Sequence, residues 1–88
     1  MASIKKLKKE IHYTLGYIIE ECSMWELLNP KKDSKKTEAI VDEAIEIFDT
    51  LIAKLNVKNK ENKKAYYKSI ALELEEKAAK LEEKINEL

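Results

Sequence analysis

Apolar residues recur at helical spacing in three stretches of this chain, separated by two polar breaks. In the first stretch Ile4, Leu7, Ile11, Leu15, Ile18, Cys22 and Trp25 follow one another at steps of three or four. At 100° per residue these steps hold them on one narrow face. In the third stretch Tyr67, Ala71, Leu74, Ala78, Leu81, Ile85 and Leu88 alternate steps of four and three, the a/d seam of a coiled-coil-like helix. The middle stretch is broader. Ile40, Val41, Ala44, Ile45, Ile47, Phe48, Leu51, Ile52 and Leu55 spread over nearly half a helix, as suits a helix with two neighbours.

The breaks have identifiable chemistry. Pro30 lacks an amide donor and pushes Asn29 out of the α region, so the first helix is expected to stop near Leu28. Asp33 or Ser34 can cap the next helix. Asn56, Asn59 and Asn62 crowd the second break, where Asn serves both as C-cap and as N-cap. The pattern predicts helices over about 3–28, 34–56 and 60–87 in one domain of 88 residues. Short connections make them antiparallel in sequence, so the expected fold is an all-α, up-down-up three-helix bundle with the middle helix most buried.

Composition agrees. The chain is 44% hydrophobic and 39% charged with one Gly and one Pro, which excludes collagen-like, linker and disulfide-scaffold classes. No apolar run approaches the roughly 18 residues of a membrane span. The single cysteine, Cys22, cannot form an internal disulfide and fits a reducing compartment. No secretory signal core follows the lysine-rich start. The expected setting is the cytoplasm.

Charge changes the picture only through its placement. Seventeen basic and seventeen acidic residues cancel. In an up-down-up bundle, however, Lys5, Lys6, Lys8, Lys9, Lys54, Lys58, Lys60, Lys63 and Lys64 gather at one end, while Glu38, Asp42, Glu46 and Asp49 line the outside of the second helix. A lysine-rich pole can hold phosphates. The chain has no arginine for bidentate contacts, so weak nucleic-acid binding is a minor expectation.

The first helix carries a second face. On a helical wheel Tyr13, Tyr17 and Met24 lie at about 220–260°, nearly opposite a core stripe at about 340–60°. Gly16 sits beside them, at a helix cost of about 1 kcal/mol relative to Ala. Tyr and Met are typical of interface cores. Tyr13, Tyr17, Glu20 and Met24 are therefore the expected contact residues for a protein partner or for a homodimer, with Tyr66 and Leu72 of the third helix as extensions. No cofactor is expected.

Other chemistry reads more weakly. The phrases Ile18-Ile19-Glu20-Glu21-Cys22 with Trp25-Glu26-Leu27, and Glu43-Ala44-Ile45 with Phe48-Asp49, resemble a set of short, uncharacterised helical proteins of Bacteroidetes-type bacteria. That resemblance implies a cytosolic helical fold and no activity. Glu20, Glu21, Glu46 and Asp49 are also similar to the acidic helix motifs of all-α nucleotide pyrophosphohydrolases, the MazG-like class. That likeness implies a Mg²⁺-dependent hydrolase, although Met24 stands where the class places a third acid. Asp33-Ser34 resembles the attachment serine of acyl carrier proteins, but Lys35 replaces the following leucine, and Ser34 reads as a plain cap. Chorismate mutases share the size but need arginine clamps. His12 has no second histidine with which to ligate a metal and is expected at the surface. Cys22 is expected in the core, and Trp25 as a plug at the end of the core.

Overall fold

The computed structural model describes residues 4–57 and 61–88. Three helices, α1 (Ile4–Leu28), α2 (Lys35–Leu55) and α3 (Lys63–Asn86), pack pairwise against one another. Among the described residues there is no strand. The bundle measures 51 × 19 × 18 Å. The helix ends fall within three residues of the expected ones. Lys58, Asn59 and Lys60, which the sequence places at the second break, lie outside the described residues.

Local chemistry explains the boundaries. Asn29 closes α1 twice on the Trp25 carbonyl, donating from its backbone N–H at 2.9 Å and from its side-chain amide at 2.8 Å. The next residue, Pro30, cannot continue the ladder. At the start of α2, Asp33 Oδ1 accepts from the Lys35 N–H at 3.0 Å, whereas the Ser34 hydroxyl turns to Glu38 at 3.2 Å. Asp33 therefore takes the capping role, while Ser34 occupies the N-cap position without a side-chain cap bond. Asn62 caps α3 by accepting from the Ala65 N–H.

The core is continuous from end to end. Leu7, Ile11, Leu15, Ile18 and Cys22 of α1 meet Ile40, Ala44, Ile47, Leu51 and Leu55 of α2, and Tyr67, Ile70, Leu74, Ala78 and Leu81 of α3. Each fully buried aliphatic side chain contributes about 1.5–3 kcal/mol, which offsets the ordering entropy of the helices. Six of the 21 residues of α2 are buried, against five of 25 in α1 and five of 24 in α3, so the middle helix is the most enclosed.

Several positions depart from the expected stripes. Ile4 is 43% exposed, because it lies in the first turn of α1 at an open end of the bundle. Ile45 also points outward. On α3, Ile70 takes the buried place that the strict seam assigned to Ala71, which is half-buried. A helix touching two neighbours buries a wider stripe than an a/d seam. Thr37, polar by sequence, is fully buried at the start of α2. Its hydroxyl lies 2.8 Å from the Ser34 carbonyl and 2.5 Å from a Glu26 carboxylate oxygen, which ties the start of α2 to the end of α1. Tyr66 is held inward by its hydroxyl, which donates to the Lys54 carbonyl at 2.9 Å, so it does not extend the outward face.

Charged pairs fasten α3 to α2. Lys54 bonds Glu73 at 2.6 Å, and Lys77 approaches the same carboxylate at 3.7 Å. The Lys54 hydrogen bond is the main reason the Glu73 carboxyl lies below its usual range. Further along, Lys84 pairs with Glu43 at 2.5 Å. Such part-exposed pairs contribute about 1 kcal/mol or less each. They fix register more than they add stability.

Candidate functional site

The outward face of α1 stands as the periodicity predicts. Tyr13 is 77% exposed, Tyr17 62% and Met24 51%, and Glu20 is exposed between them. Leu27, at 72%, continues the line one turn further. Tyr13, Tyr17, Glu20, Met24 and Leu27 alternate steps of four and three, so α1 carries a second seam on its outer side. Leu27 and Leu28 follow Trp25, the expected plug of the core end, in the last turn of α1. Both are exposed, while Trp25 itself is half-buried.

Between this strip and α3 lies an open depression of about 890 Å³. Tyr13 and Tyr17 form its aromatic wall. Gly16, Ala78 and Ala79 keep it hollow, and Glu20, Glu75 and Glu82 line it with acid. A Cβ added at Gly16 would meet nothing within 4 Å. The fold therefore does not need glycine there. Further toward the start of both helices, Lys6, Glu10, Lys64, Lys68 and Ala71 line a second hollow in the same α1–α3 groove.

At the acidic end Glu21 of α1 and Glu82 of α3 face each other. Burial first, then the hydrogen bond and the charge of Glu82, push the Glu21 carboxyl up from 4.5 to about 7. The neighbouring Glu82 thus favours the protonated form of Glu21. One Glu21 oxygen is buried without a hydrogen-bond partner in the folded chain. Sequence spacing could not reveal this pair, because only the parallel register of α1 and α3 joins the two residues.

The remaining candidates are dispersed. Among the described residues no group of three or more His, Cys, Asp or Glu side chains is arranged to hold a metal ion, so Glu20, Glu21, Glu46 and Asp49 are not gathered into one site. Glu46 lines a small hollow beside Lys77 and Lys80 on the α2–α3 side, and Asp49 is exposed. His12 is exposed, with its ring edge-on to Phe48 at 4.7 Å. In the lysine-rich pole Lys54 is engaged by Glu73, and Lys58 and Lys60 lie outside the described residues. No described helix is long and apolar enough to cross a membrane.

Cys22 is 1% exposed. Burial, then the charges of Glu26, Glu21 and Glu82, push its thiol upward, so the reactive thiolate is disfavoured twice over. A thiol-specific disulfide reagent at pH 8 is expected to leave the native chain unlabelled and to label it fully in denaturant. Prompt labelling of the folded chain would contradict this placement.

Neither protein-family models, nor curated proteins, nor solved structures give a match to this chain.

Proposed function

We propose that the protein is a helical protein–protein contact module whose working surface is the outer strip of α1: Tyr13, Tyr17, Glu20 and Met24, extended by Leu27. One observation carries the reading. Two tyrosines, a methionine and a leucine stand in regular heptad order on the solvent side of α1, whereas the other exposed large apolar residues, Ile4, Leu28, Ile45, Val57 and Leu72, do not continue that order. Scattered apolar residues on a surface need no explanation, but a contiguous patch of them does. Aromatic residues and Met are enriched at the centres of protein interfaces. Gly16 supports the same reading. It weakens α1 by about 1 kcal/mol relative to Ala, and no contact within the chain requires it.

The strip should then be dispensable for folding. Replacing Tyr13, Tyr17 and Met24 together by Gln, a good helix former, is expected to change the unfolding free energy by no more than about 0.5 kcal/mol in dilute solution. Urea unfolding followed by circular dichroism at micromolar protein measures this directly. A loss above about 1.5 kcal/mol would mean that these side chains hold the fold, and the reading would fail.

A further inference from the structure

We infer that the occupant of this face is a second copy of the chain, laid antiparallel across the α1–α3 groove, an inference that rests on the contact reading above. The groove changes sign along its length. At the start of the two helices it is lined by Lys6, Lys64 and Lys68, with Glu10 the acid among them. Past the tyrosines it is lined by Glu20 and Glu82, without a lysine, and Glu75 stands level with the tyrosines between the two ends. Lys68 and Glu82 stand fourteen positions apart on α3, which is about 21 Å at the helical rise of 1.5 Å per residue. That exceeds the screening length of about 8 Å at physiological salt, so the two ends act as separate patches of opposite sign.

A two-fold axis across the helices sets α1 on α1 and α3 on α3 with their directions opposed. The basic end of each copy then covers the acidic end of the other, with Lys68 opposite Glu82 of the second copy. The same operation brings the tyrosine walls together at the centre, where the missing side chain of Gly16 lets the backbones come close. A two-fold axis along the helices would instead lay lysines on lysines and glutamates on glutamates. Like-charge juxtaposition disfavours that arrangement. Closed two-fold dimers need a self-complementary patch of this kind. A face on a bundle 51 Å long and 19 Å wide has room for the roughly 800 Å² per copy that a stable contact buries.

The test is charge reversal on the full chain, read by sedimentation equilibrium, with circular dichroism to confirm folding. Lys68→Glu, and separately Glu82→Lys, are each expected to weaken self-association at least tenfold. Both reversals in one chain exchange the paired charges and are expected to restore association to within about threefold of the original. Gly16→Gln adds a side chain at the depression, where its Cβ meets nothing within 4 Å, and is expected to weaken association tenfold or more. If the double reversal stays as weak as the single variants, or Gly16→Gln associates like the parent, the antiparallel arrangement is overturned. A parent chain that remains monomeric at millimolar concentration overturns the second copy as occupant. In either case the dispensability of the strip for folding is decided separately by the unfolding test above.

Discussion

Leu51→Ala is expected to lower the unfolding free energy by about 2–5 kcal/mol. Leu51 is fully buried on α2, within the cluster that joins all three helices. Truncation removes its transfer energy and leaves a cavity that interdigitated helices cannot close. An 88-residue domain has a total stability of roughly 4–13 kcal/mol at about 0.05–0.15 kcal/mol per residue, so this one change brings the chain near its folding threshold. Ile45→Ala is the control. It removes an aliphatic group from the same helix at a position 47% exposed, and is expected to cost less than about 1 kcal/mol. Urea midpoints for the two variants at equal protein concentration provide the comparison. Equal losses would mean that the inward face of α2 is wrongly placed.

The second large effect depends on pH. Glu21 binds its proton up to about pH 7 in the folded chain and only to about 4.5 otherwise. The folded state is therefore favoured by this group below pH 4.5, and that contribution fades as pH rises through 7. The full shift corresponds to about 3 kcal/mol at 1.36 kcal/mol per unit. Glu21 is only half-buried, so solvent screening reduces this to about 1–2 kcal/mol. Glu21→Gln keeps the shape and offers Glu82 an amide donor in place of a second charge. At pH 8 the variant is expected to melt higher than the parent by roughly 4–8 °C for each kcal/mol gained. Near pH 4 the difference is expected to vanish. Scanning calorimetry from pH 4 to 8 reads both, and an offset that does not change with pH would contradict the raised Glu21 carboxyl.

Much of this architecture is legible in the sequence because helices announce themselves through spacing. Leu7, Ile11, Leu15, Ile18 and Cys22 form the buried line that their steps of three and four dictate. Pro30 and Asn62 mark real boundaries for reasons intrinsic to their backbones and side chains. The misses share a physical cause, namely that they depend on what stands opposite. Ile70 is inside and Ile45 outside because neighbouring helices, not spacing alone, set the width of each buried stripe. Thr37 reads as surface-polar until Glu26 and the Ser34 carbonyl surround its hydroxyl.

The candidate face was half legible. Tyr13, Tyr17, Glu20 and Met24 appear on any helical wheel, because they oppose the core stripe of their own helix. The α3 wall does not appear there. Glu75, Ala79 and Glu82 join the face only once the parallel register of α1 and α3 is known. The same register pairs Glu82 with Glu21, a residue that the sequence groups instead with Glu20, Glu46 and Asp49. The change of sign along the groove also emerges only when both helices are aligned, since along the chain the lysines and glutamates of α3 read as an ordinary solvated surface.

The most direct measurement is the mass of the unmodified chain in solution across a wide concentration range. Sedimentation equilibrium from micromolar to millimolar protein is predicted to show the weight-average mass climbing from the 10.2 kDa of one chain toward twice that value and levelling there. A mass fixed at that of one chain throughout, or one that climbs past two copies without a plateau, would contradict a closed pair built on the outer face of α1 and α3.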